Sequence, residues 1–176
     1  MKFFTKQLWE SDQDVDSNSD EQWDRCLKDY LAQLEPLRTR LAEADFSFFS
    51  APDVLHGAEL MELTVRDGSR PAPLTDSPRP WLTVFSHPVQ VETIFLDAEE
   101  EFLWTLEYSA VRKVVIDFPS DSRFRYENGH GFGDWGYHEL SETSDGWLRH
   151  EVLFASGSVL LFEFQRVELK RAQARP

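Results

Sequence analysis

The chain has 176 residues, with 32 Asp and Glu against 18 Lys and Arg, a formal net charge of −14 and one cysteine. That length suits a single domain with its own core, and 41% hydrophobic with 28% charged residues excludes wholesale disorder and a coiled-coil rod. The excess acid opposes nucleic acid and anionic membrane surfaces, where Lys and Arg supply the affinity, and favours a basic protein as partner.

No apolar run approaches the ~20 residues of a membrane-spanning helix. The opening Met1-Lys2-Phe3-Phe4-Thr5-Lys6 is shorter in apolar length than a signal peptide's core of roughly 7–15 residues. Cys26 alone makes neither an internal disulfide framework nor a multi-thiolate zinc site. The expectation is a cytoplasmic protein with no cofactor, folded as one domain over residues 1–176.

From Glu10 to Asp24 there are seven acids and no base. Residues 11–20, SDQDVDSNSD, carry a single apolar side chain and read as an acidic loop. Next, Trp23, Cys26, Leu27, Tyr30, Leu31, Leu34, Leu37 and Leu41 recur at helical spacing opposite a charged face. Ser19 or Asp20 caps its start, and Cys26 falls on the apolar stripe as a buried, inert thiol. Pro36 lacks a donor and clashes with the preceding turn, so the helix kinks there or two helices meet near Glu35.

After Asp45 the period changes to two. Met61, Leu63 and Val65 alternate with Glu62, Thr64 and Arg66, as a strand requires. Residues 69–80, SRPAPLTDSPRP, hold four prolines and form an irregular loop. Further strands are expected at 81–86, 89–96 and 111–118, whereas 99–108 fits a helical turn or a strand. Residues 134–141, 147–155 and 158–168 are separated by Ser144-Asp145-Gly146 and Ser156-Gly157, which predicts a three-strand antiparallel meander. Residues 169–176 read as a basic tail. The sum is an α+β fold: an N-terminal amphipathic helix packed on a mainly antiparallel β-sheet or a partly closed barrel, ending in that meander.

Three stretches invite chemistry. Asp12-x-Asp14-x-Asp16-x-Asn18-x-Asp20 alternates oxygen ligands as calcium loops do, but lacks the mid-loop glycine and closing glutamate. Those aspartates instead suit a basic partner, with Trp135 as an aromatic contact. The glycines of 129–136 precede a strand rather than a helix, so they cradle no phosphate. Lastly, a tight turn centred on Ser144-Asp145 sets Glu142 opposite Trp147 and Glu139 opposite His150. Trp135, Tyr137 and Glu139 then share an apolar face with Phe154, Val152, His150 and Leu148. A Glu139–His150 pair is either a buried structural contact or half of an acid–base site, and His138 or His130 beside His150 extends it to a crude metal cluster. No Walker, HExxH, GxSxG or kinase string occurs.

The opening MKFFTKQLWE resembles the start of an uncharacterised bacterial family beginning M-K-[FY]-F-T-K-x-L-[WY]. The stretch DWGYHELSETSDGWLRHEVLFASGSVLLFEF is similar to a hairpin of small bacterial domains of unknown function, some of them suspected immunity proteins. The two cover about a quarter of the chain. The resemblance implies a bacterial cytoplasmic protein and carries no catalytic residue. Function therefore reads as a non-enzymatic acidic protein-binding module, of which an immunity protein is one form. The alternative is a small-molecule or metal-dependent enzyme built on Glu139, His150, His138 and His130. A plain scaffold is the third reading.

Overall fold

The computed structural model describes residues 1–12, 19–67, 89–118 and 131–174, apart from the side chains of 10–12 and 19–20. The expected strand 81–86, the proline-rich 69–80 loop and residues 13–18 lie outside that set. Residues 11–12 and 19–20, expected as loop, are helical: they close α1 (Lys6–Asp12) and open α2 (Ser19–Leu34).

Proline sets the end of α2. The chain continues from Leu34 as a 3-10 helix, Glu35–Arg40, with Pro36 in its first turn, where a missing N–H is tolerated. Two helices thus meet at Glu35, as the second of the two expectations has it. Tyr30, Leu34 and Leu37 are fully buried, while Cys26 on the same stripe is only half-buried. A helix that periodicity does not reveal follows: α3 (Glu43–Phe49), with Phe46, Phe48 and Phe49 buried. Seven residues are too few to establish a 3.6-residue repeat.

Among the described residues, eight strands form two four-stranded antiparallel sheets. The first has the order β1 (Glu59–Asp67), β2 (Val89–Leu96), β3 (Phe102–Ser109), β8 (Arg166–Gln173). The second has the order β4 (Lys113–Asp117), β7 (Val159–Phe164), β6 (Leu148–Phe154), β5 (Trp135–Glu142). Of the ambiguous 99–108, residues 102–108 are strand and 99–101 belong to the turn before it. The segment 158–168 is not one strand: it bends at Gln165 and changes sheet, and residues 169–173, expected in a basic tail, complete β8 on the sheet edge. The chain makes the reverse change between Ser109 and Lys113, and both crossings share one corner. There Gln165 N–H donates to Ser109 O and Arg112 N–H to Glu163 O.

The inner faces meet through aromatic rings. Tyr108 stacks on Phe162 at 4.6 Å, and Phe95 meets Trp135 edge-on at 4.6 Å. Helix α3 closes the gap between β5 and β8. Its buried Asp45 accepts the Leu169 N–H, so the β8 edge does not end on an unpaired amide there. The N-terminal segment, α1 and α2 cover the outer face of β5, where Phe4, Trp9 and Trp23 surround Tyr137. Both faces of β5 are therefore buried, and its edge is satisfied as well. Trp135, His138 and Leu140 donate their N–H groups to Ala58 O, Pro52 O and the Tyr30 hydroxyl. Gly136 has a packing reason: a Cβ there would stand 2.7 Å from the Trp9 ring and 3.0 Å from Leu153 O.

Candidate functional site

The β5–β6 turn decides which side chains can act together. Gly146 adopts φ +82°, Gly146 N–H bonds Thr143 O, and Thr143 N–H bonds Trp147 O. This is a three-residue loop, Ser144-Asp145-Gly146, in which glycine takes the left-handed position. The expected two-residue turn is one shorter, and the extra residue slides the register by one. Glu139 faces Glu151 instead of His150, and His150 pairs with Leu140. One slip in a strand exchanges its faces, so the Glu139–His150 pair is not formed. Trp135 nevertheless stays opposite Phe154, because the bulge at Gly136 restores the register above it.

Inside the sandwich, His138 and His150 meet each other, both fully buried. His138 Nδ1 lies 3.0 Å from His150 Nε2, His138 Nε2 lies 3.1 Å from Ala51 O, and the Tyr108 hydroxyl lies 2.7 Å from His150 Nδ1. A carbonyl can only accept, which fixes the direction of the whole chain. His138 carries its proton on Nε2 and accepts at Nδ1 from His150 Nε2–H. His150 then accepts at Nδ1 from Tyr108. Both rings are neutral in this arrangement. Burial drives the His138 pKa down to about 4 and the His150 pKa well below the usual histidine range, the neighbouring ring adding to the latter. Burial likewise pushes the Tyr108 phenol far above its ordinary value. All four imidazole nitrogens are engaged, so none offers a lone pair to a metal while the chain of bonds stands. Among the described residues no three His, Cys, Asp or Glu side chains are grouped to hold a metal ion. His130 is outside the described residues.

On the opposite face of the same sheet, Glu139 is 2% exposed and takes a structural role. Its carboxylate accepts the Lys2 N–H at 2.7 Å and the Phe3 and Phe4 N–H groups at 2.6 Å each. The Met1 ammonium reaches Glu151 at 2.8 Å. Two carboxylates directly opposite on neighbouring strands repel, and the ammonium on Glu151 and the amide dipoles on Glu139 offset that repulsion. Further along this face, the buried Glu163 receives Arg112 at 2.8 Å and Arg149 at 2.7 Å, with Lys113 at 3.8 Å. Burial alone would raise its pKa, but the two guanidinium groups outweigh it and hold the carboxyl below the usual range. Arg112 also binds Asp145 and stacks on Trp147 at 4.6 Å, which fastens the hairpin loop to β4.

A third constellation is electrostatic and exposed. Glu59 pairs with Leu96 on β2 and bridges Asp134, so the start of β1 lies beside the turn Asp97–Glu101. The Ala98 methyl packs on Gly57, at 3.1 Å from where a Cβ would stand. One end of the sandwich thereby gathers Glu59, Asp97, Glu99, Glu100, Glu101 and Asp134. Asp97 is committed to the turn, accepting the Glu101 and Phe102 N–H groups. Glu59, Glu99, Glu100 and Glu101 are exposed. Glu100 adopts φ +58°, a left-handed conformation in which glycine would be less strained.

Of the partner-facing candidates, Trp135 is fully buried against Phe95, His138 and Phe154. Asp14 and Asp16 lie outside the described residues, and of Asp12 and Asp20 only the helical backbone is described. Tyr108, Glu163 and the acid end escaped the sequence because each depends on strands far apart in the chain. The joint run Asp97, Glu99, Glu100 and Glu101 was the one visible signal. Compared with known proteins, this chain matches no family model, no curated protein and no solved structure.

Proposed function

We propose that the protein acts by binding a basic protein partner at its acidic end, as a non-enzymatic module of the kind found among immunity proteins, in a bacterial cytoplasm. The observation that carries this reading is the meeting of Glu59, Glu99, Glu100 and Glu101, exposed at one end of the first sheet, in a chain of net charge −14. Complementary fields of this kind raise association rates and discriminate against acidic competitors. Glu100 adds support, since non-glycine residues held at positive φ concentrate at working surfaces. The enzyme alternative loses its main constellation: Glu139 and the two imidazoles stand on opposite faces of one sheet.

The test is retention of a basic protein from a bacterial lysate at low salt, repeated with the purified partner. Reversing Glu59, Glu99 and Glu100 to Lys is expected to weaken that complex at least tenfold. Reversing Glu21, Asp24 and Asp29 on the exposed face of α2 is expected to change it much less. Raising salt beyond the range where the Debye length falls below about 8 Å should weaken the wild-type complex as well. No retained protein at low salt, or equal losses in the two variants, would overturn the proposal.

A further inference from the structure

The chain Tyr108–His150–His138–Ala51 runs from the middle of the first sheet, through the second, to the loop that follows α3. Its last bond holds the segment from α3 to Ala58 in place, together with His138 N–H to Pro52 O and Tyr30 Oη–H to Phe49 O. Phe48 and Phe49 of α3 pack directly on the imidazoles, with centroids 4.8 Å from His138 and 5.0 Å from His150. We propose that this chain of bonds is a proton-operated latch, which releases the segment Glu43–Ala58 from the sandwich under mild acid.

The direction of the bonds supplies the mechanism. In the closed form each imidazole has one protonated nitrogen, and each bare nitrogen is covered by its neighbour's donor. No lone pair faces outward to receive a proton. His138 Nε2 is the end nearest the surface, since Ala51 is half-buried, but that nitrogen already holds hydrogen. A proton added to His138 Nδ1 would confront the His150 Nε2–H, donor against donor. Charging His138 therefore requires the rings to part. Charging His150 requires the Tyr108 hydroxyl to turn its proton away and leaves a cation buried among aromatic rings, so the open form takes up the proton far more readily.

Among the described residues, none packed against the pair compensates a charge. Facing it are Phe48 and Phe49 from α3, Trp135 from β5, Tyr108 from β3 and Phe162 from β7. Tyr108 is the one titratable side chain among these, and the Thr93 hydroxyl lies beside its oxygen. Asp45 of α3 is committed to the Leu169 amide, and Glu139, Glu151 and Glu163 belong to the far side of the sheet. The sign follows from linkage. The closed form binds fewer protons than the open one, so opening grows as pH falls below the ordinary histidine value of about 6.5. Each freed imidazole multiplies the open population by up to about ten per pH unit.

Amide hydrogen exchange on the full chain at pH 7.5 and 5.5, corrected for the intrinsic rates, reads the opening directly. Protection of the Phe46, Ser50, His56 and Ala58 amides is expected to fall tenfold or more, while the Val91 and Leu106 amides keep theirs. The double variant His138→Gln/His150→Gln should lose that pH dependence. Unchanged protection of the segment in the wild type, or the same fall in the double variant, would overturn the latch. Should that variant fail to fold, imidazole nitrogen NMR of the wild type decides. Both rings protonated on Nε2 at pH 7.5 are expected, with charged rings emerging at pH 5.5 together with faster exchange. A ring protonated on Nδ1 at pH 7.5, or one that charges while the segment stays protected, would refute it.

Discussion

Glu139 shows how a single side chain changes role with its surroundings. On a sheet face bare of other elements it would repel Glu151, its cross-strand neighbour. Covered by the N-terminal segment, the same carboxylate receives three successive backbone N–H groups that would otherwise be buried without acceptors. Leaving a buried donor unsatisfied costs roughly 1–3 kcal/mol, so Glu139→Ala is expected to lower unfolding free energy by about 3 kcal/mol or more, measured by urea titration. A loss below about 0.5 kcal/mol, the size of an ordinary surface substitution, would contradict that role. At this scale the sequence was half legible. It identified His138, Glu139 and His150 as the consequential residues of the hairpin but paired the wrong two. Tyr108, 42 residues before His150, left no local sign of being the third member of the buried chain.

At the scale of elements, periodicity worked where an element is long and one-sided. The α2 stripe and the strands β2, β5 and β6 stand where the spacing puts them. It failed where an element is short or where an apolar run crosses a structural boundary. Glu43–Phe49 is too brief to show its period, and SVLLFEFQRVE contains no Gly or Pro to mark the change of sheet at Gln165. The corner is marked instead by Ala110, at φ +53°. The Asp97–Glu101 turn illustrates an element that departs from its least strained sequence. Glu100 holds φ +58° in a turn closed by Glu100 N–H to Asp97 O. Left-handed strain costs roughly 1–2 kcal/mol and the extra entropy glycine loses on folding roughly 0.5–1 kcal/mol, so Glu100→Gly should stabilise the protein by about 0.5–1 kcal/mol. The same variant is expected to bind the basic partner more weakly, which thermal unfolding and a binding titration would check side by side.

For the whole molecule, the second sheet is a partition. Its inner face carries a neutral polar chain within an aromatic core; its outer face carries carboxylates matched by amides, an ammonium and guanidinium groups. An exposed cluster of acids lies elsewhere, at the end where β1, β2 and the segment before β5 meet. The order of helical and strand periods foretold the α+β class, and composition foretold the net acidity, because neither depends on an exact register. The partition was beyond both, because it hangs on one residue of loop length at Gly146. A double-mutant cycle on unfolding free energy tests the partition most directly, with Glu139→Gln, His150→Gln and their combination set beside His138→Gln, His150→Gln and theirs. Side chains on opposite faces without a shared partner should couple by less than about 0.5 kcal/mol, so that value is expected for Glu139 with His150. His138 and His150, in direct contact, should couple by about 0.5–3 kcal/mol. A Glu139–His150 coupling above about 1 kcal/mol, with His138 and His150 additive, would contradict the partition and restore the carboxylate–imidazole pair.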